Sequence, residues 1–213
     1  MKIFNDTGKI KQSAYFGWQD KDSALYGLRE GYKNSADELV NIVLKNENNI
    51  MIRDTYIFPV LFSYRHSIEI SLKLIYLRAT GKILSGGHNL LTLWDNIKKE
   101  IIDGMICSEE FIEQVKDYKA NFVSYSLDQK DMVKIRSLLK ELQEANQQDN
   151  EVNKNSKQID QNAEVWRYLI NNDNILYFKK GHFVDYIELK MGIDFIYEKL
   201  DYIYHIIAEY LSS

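Results

Sequence analysis

Residues 57–77 read IFPVLFSYRHSIEISLKLIYL, from Ile57 to Leu77, and this stretch decides the fold. It is apolar on nearly every side of a helical wheel, so the helix it forms belongs at the centre of a bundle. Arg65, His66, Glu69 and Lys73 interrupt it. The stretch is long enough to cross a bilayer, but each charge at mid-depth would cost ~3 kcal/mol. A buried core helix is therefore expected, with no membrane partner. Asp54 or Thr55 is the expected N-cap, which puts Pro59 in the first turn, where its missing N–H does least harm. The helix is expected to reach about Ala79 and to stop at Gly81.

The same periodicity extends outward in both directions. Leu25, Leu28, Tyr32, Ala36, Leu39, Val40 and Val43 recur at three- and four-residue steps, predicting a helix from Asp22 or Ser23 to about Lys45. Beyond the Gly86-Gly87 turn, a third helix is expected from His88 or Asn89 to Ile102, closing at Asp103-Gly104. Ser108-Glu109-Glu110 reads as the cap of a fourth helix to about Ser124, and residues 127–147 as a fifth. Residues 146–164 are rich in Asn, Gln, Asp and Lys and read as a solvated, flexible loop. Residues 165–170 and 175–179 flank Asn171-Asn172-Asp173-Asn174, a pattern that predicts a small β-hairpin. A last helix is expected from Val184 to Leu211, with Ile196, Leu200, Ile203, Ile207 and Leu211 as its stripe.

The chain of 213 residues is thus expected to be one mainly α domain, an antiparallel helical bundle with a β-hairpin before the last helix. One proline and ten glycines leave room for long helices. The net charge of −4 provides no overall field for nucleic acid, so any such contact needs a local patch. Cys107, the one cysteine, cannot form an intrachain disulfide, which suits a reducing cytoplasm. Residues 1–8 carry no apolar run, so no signal peptide is expected there.

Arg65, Glu69 and Lys73 stand at i, i+4 and i+8, and His66 lies three before Glu69, so all four share adjoining parts of one helix face. Two readings follow. In one, Arg65–Glu69–Lys73 is a shielded ion-pair ladder that holds helices in register. In the other, the face lines an open cleft. There His66 serves as general acid or base, Glu69 orients it, and Arg65 or Lys73 neutralises a phosphate, a set suited to metal-free RNA cleavage. His88 opens the third helix, either as a capping residue or beside a site for anions. Arg167, in Trp166-Arg167-Tyr168, either packs on those aromatics or contacts phosphate. No metal-ligand spacing, phosphate-binding glycine loop or nucleophile motif occurs, so no metal or cofactor is expected.

Several segments together carry a resemblance. They are residues 31–40, with Gly31-Tyr32-Lys33-Asn34, residues 59–73, with Tyr64-Arg65-His66-Ser67-Ile68-Glu69 and Lys73, then Gly87-His88-Asn89-Leu90-Leu91-Thr92-Leu93-Trp94, and Trp166-Arg167-Tyr168. In this order they resemble bacterial proteins with a HEPN-like (higher eukaryotes and prokaryotes nucleotide-binding) helical domain, found in toxin–antitoxin and phage-defence systems. The resemblance implies a helical bundle, a homodimer with a polar site near its groove, and an antitoxin or sensor protein as partner. Many members are metal-independent ribonucleases whose motif is Arg, four to six residues, then His. Here His66 follows Arg65 directly. The resemblance therefore implies either a variant catalytic site of Arg65, His66, Glu69 and His88, with Lys73 and Arg167 contacting phosphate, or a binding member without nuclease activity that takes RNA, a nucleotide or a partner protein.

Overall fold

The computed structural model describes residues 13–114, 128–145, 163–178 and 180–212. Helix α1 spans Lys21–Lys45, and its N-cap Asp20 accepts a hydrogen bond from the Ser23 amide. The turn Asn46–Asn49 reverses the chain into α2, Ile50–Thr80, which packs back along α1 as an antiparallel pair. Between Val60 and Leu77 most of α2 is buried, as its composition predicts. Ser67 and Ser71 fold their hydroxyls back onto the carbonyls of Tyr64 and Ser67, both at 2.8 Å, so neither is left unpaired in the core. Gly81 ends the helix in a left-handed conformation (φ 70°) and bonds the Leu77 carbonyl.

The start of α2 differs from the expectation. Asn49, not Asp54 or Thr55, is the cap, its side chain accepting from the Ile52 amide at 3.2 Å. Pro59 therefore lies inside the helix. Such a proline removes one backbone bond and leaves a carbonyl four residues earlier without its donor. Both Pro59 and Thr55 are exposed, so water can serve that carbonyl and the helix continues.

Helix α3 spans Leu90–Asn96 and is capped by Asn89, which accepts from the Thr92 amide. The winding then widens into a π-helix over Ile97–Ile106, longer than the expected end at Ile102. Hydrogen bonds from i to i+5 put residues five apart on one side, which suits the pairs Ile97/Ile102 and Ile101/Ile106. Of these, Ile97, Ile101 and Ile102 are buried. Helix α4 is described over Glu109–Gln114, with Ser108 accepting from the Phe111 amide, and the rest of the expected fourth helix lies outside the described residues. Helix α5, Gln129–Gln143, opens on a reciprocal capping box between Asp128 and Asp131. Most of the expected polar loop, residues 146–162, also lies outside the described residues.

The predicted β-hairpin does not form. Val165–Tyr168 is a single helical turn, α6, ended by Leu169 in a left-handed conformation (φ 57°). Among the described residues there is no strand, only an isolated bridge between Ile170 and Leu176. The Asn171 side chain accepts from the amides of Asp173 and Ile175, so the turn forms as expected but no ladder grows from it. Helix α7, Tyr186–Ser212, completes the bundle and buries Ile193, Ile196, Leu200, Ile203 and Ile207, whereas Leu211 is exposed.

Polar groups knit α1, α2 and α7. Lys33 pairs with Asp37 and Asp194, both at 2.6 Å, and Lys190 reaches the same two carboxylates at 3.2 and 2.7 Å. Tyr64 donates to Asp37 at 2.6 Å. Farther along, fully buried Arg29 pairs with Asp201, and its guanidinium stacks 4.2 Å from the Tyr26 ring centre. Burial alone would raise the Asp37 carboxyl, but hydrogen bonds from Lys33, Tyr64 and Lys190 outweigh it and hold it below its ordinary value. Its stabilisation is thus complete above about 3.8 and is lost as the pH falls through its lower folded value. Asp37→Asn is expected to cost about 2–3 kcal/mol at pH 7 in urea unfolding, and the gap from wild type should shrink in strong acid.

Candidate functional site

Helix α2 presents Arg65, Glu69 and Lys73 at successive turns, and the chain after Gly86-Gly87 brings His88 against them. Glu69 is the hub. One of its oxygens, Oε2, accepts from Arg65 Nη1 at 3.2 Å. The other, Oε1, lies 2.8 Å from Lys73 Nζ and 2.8 Å from His88 Nδ1. Arg65 Nη2 also donates to the His88 carbonyl at 2.6 Å, so one guanidinium fixes both the carboxylate and the backbone that carries the histidine.

Gln143, the last residue of α5, completes the cluster and was not foreseen from the sequence. Its Oε1 accepts from the Leu90 amide at 2.8 Å and from Arg65 at 3.4 Å. It thereby satisfies a first-turn amide of α3 that no backbone carbonyl can reach. No motif could have flagged it, because a lone amide at a helix end has no periodicity.

Exposure divides the cluster in two. The Arg65 and Glu69 side chains are each 2% exposed, while Lys73 is 22% and His88 46% exposed. The shielded ladder expected for Arg65–Glu69–Lys73 is present. The open cleft expected for Arg65 and Glu69 is not, although His88 lies beside them. Burial would raise the Glu69 carboxyl, but Lys73, His88 and Arg65 more than compensate and hold it below its ordinary value. An ionised Glu69 accepts only, so His88 Nδ1–H is the donor and Nε2 is left for other partners on a half-exposed ring.

His66 takes a different place from the one its spacing suggested. Glu69 orients His88, not His66. The His66 ring stands edge-on to Tyr32, with centroids 4.6 Å apart, and stacks on Phe62 at 5.6 Å. Desolvation lowers its pKa, Glu69 opposes that, and Arg65, Lys73 and His88 lower it further, so His66 is neutral near pH 7. Arg167 donates from Nε to the Ala163 carbonyl and its guanidinium lies 5.3 Å from the Tyr168 ring, the aromatic packing anticipated for it.

Against known proteins, the chain matches no family model, no curated protein and no solved structure. Among the described residues, no three or more His, Cys, Asp and Glu side chains come together in a way that could hold a metal ion. No described helix is long and apolar enough to cross a membrane.

Removing Glu69 would strand a buried guanidinium, so Glu69→Ala is expected to lose about 3–5 kcal/mol of unfolding free energy at pH 7. A second outcome concerns acid. Because the folded state favours neutral His66, its contribution is complete above about 6.5 and is lost as the pH falls through its lower folded value. His66→Gln should flatten the fall of stability just below that pH, as read from urea midpoints across a pH series.

Proposed function

We propose that this chain is a HEPN-type ribonuclease that cuts RNA without a metal ion, as a variant of the family's Arg–His site. The observation that carries the reading is His88, pinned through Nδ1 by a buried carboxylate and left half-exposed beside the Lys73 ammonium. A histidine so held is equipped to move a proton at Nε2, with Glu69 balancing the imidazolium that forms. In the reaction the RNA 2′-oxygen attacks the adjacent phosphorus and loses its proton to an imidazole. The bond from phosphorus to the 5′-oxygen breaks, and that oxygen takes up a proton. The products are a 2′,3′-cyclic phosphate and a 5′-hydroxyl. His88 and the neutral His66 form the proton-transfer pair, and Lys73 offsets charge on the phosphoryl oxygens. Arg65 is a positioning residue, because its guanidinium is shut away and holds the His88 backbone. A role in phage defence or stress response, a cytoplasmic homodimer, and an antitoxin or sensor partner follow from the resemblance.

A second reading has its own observation. The closure of Arg65 and Glu69 is what a non-catalytic nucleotide- or partner-binding module would show, with the cluster serving to lock α2, α3 and α5 together.

Cleavage of total RNA and tRNA in the presence of EDTA separates the two. For the ribonuclease, wild-type cleavage persists with EDTA, and His88→Ala or His66→Ala lowers it by about 100-fold or more while the circular dichroism stays native. Folded wild type without cleavage would instead favour the binding module, and full activity in His88→Ala would overturn the assignment of the reaction to this site.

A further inference from the structure

A cavity of about 380 Å³ opens between α2, α5, α6 and the start of α7, and none of the residues lining it belongs to the Glu69 cluster. Its size falls within the range of roughly 300–1,000 Å³ typical of small-molecule sites. Leu61, Leu138, Leu142, Ile193 and Ile196 make its walls apolar. Trp166 and Phe183 add aromatic rings, Phe183 being fully exposed.

Charge selects the occupant. Glu141, Asp185 and Glu188 also line the cavity and are exposed, so the carboxylates stand where it meets solvent. Asp185 spends its carboxylate on the first turn of α7, accepting from the amides of Ile187 and Glu188. Among the described residues, no lysine or arginine lines the cavity. Apolar walls, aromatic faces and a carboxylate rim together are the features that recognise an organic ammonium ion.

A further observation concerns Gly192. Glycine inside a helix is unfavourable relative to alanine, yet Gly192 sits within α7 on the cavity wall. A Cβ there would meet Leu138 Cδ2 at 3.5 Å, an ordinary contact, so alanine fits. Any longer side chain would grow into the space shared with Leu138. The missing side chain keeps the cavity open.

We infer that this cavity binds a small amphipathic ammonium compound, its hydrocarbon or aryl part between α5 and α7 and its cationic end among Glu141, Asp185 and Glu188. The site is independent of the ribonuclease reading. The test is calorimetric titration of the full chain at pH 7 with 4-phenylbutylamine and, separately, 4-phenylbutyrate. The amine should bind saturably and about tenfold or more tightly than the carboxylate. Gly192→Leu should abolish amine binding, and the double variant Glu141→Gln/Glu188→Gln should erase the preference for the amine. Should Gly192→Leu fail to fold, the double variant, changed only at exposed positions, decides alone. Absence of saturable amine binding, equal or tighter binding of the carboxylate, undiminished binding by a folded Gly192→Leu, or an undiminished preference in the double variant would overturn the proposal.

Discussion

A carboxylate in the middle of a helical core must find positive partners or lose its charge, and Glu69 is in that position. Its solution draws in three parts of the chain. Arg65 and Lys73 come from its own helix, one turn to either side. His88 comes from the segment after the Gly-Gly turn. Arg65, committed to Glu69, then needs acceptors for its other nitrogen, and these are the His88 carbonyl and Gln143. Gln143 in turn fixes the first amide of α3. One buried charge thus sets the approach of α3 and α5 to α2. An unsatisfied member would cost several kcal/mol, so the geometry tolerates little variation.

The other side of α2 follows the same logic with different residues. Tyr64, the immediate neighbour of Arg65, points to Asp37 and the Lys33–Lys190–Asp194 group. Adjacent residues on a helix diverge by about 100°, so neighbours in sequence serve different interfaces. That divergence also explains His66. It follows Arg65 by one step and is turned toward Tyr32 and Phe62 instead of the carboxylate.

Much of this was legible in the residues. Helices α1 and α7 announce themselves by apolar steps of three and four and α2 by being apolar on nearly every side, and Gly81 marks the stop of α2 by the left-handed turn it makes. The i, i+4, i+8 ladder of Arg65, Glu69 and Lys73 is likewise a matter of spacing, and it forms. Local signals fail where two fit equally well. Asp54 and Thr55 resemble caps as strongly as Asn49 does, and only the full-length packing of α2 on α1 decides. Residues 165–178 have the composition of a hairpin, but the left-handed Leu169 closes a helical turn on one side of it and the pairing stops at the single Ile170–Leu176 bridge. The π-helix depends on tertiary packing that no period of 3.6 predicts. Which histidine Glu69 would hold, and the part of Gln143, rest on contacts 19 and 53 residues apart in the chain.

The pairing of α1 with α7 has a consequence for how the molecule is assembled. Tyr204 reaches Asp22 across 182 positions, and Arg29 reaches Asp201 across 172. The α1–α2 pair is local and can associate as soon as its short turn has been made. Arg29, fully enclosed in the finished bundle, has no carboxylate from α7 until 172 further residues have been made. During synthesis its guanidinium and the tyrosine beside it must stay in water. The last helix therefore does more than cover the core: its arrival converts a solvated half-bundle into a closed one and sets the final step of folding.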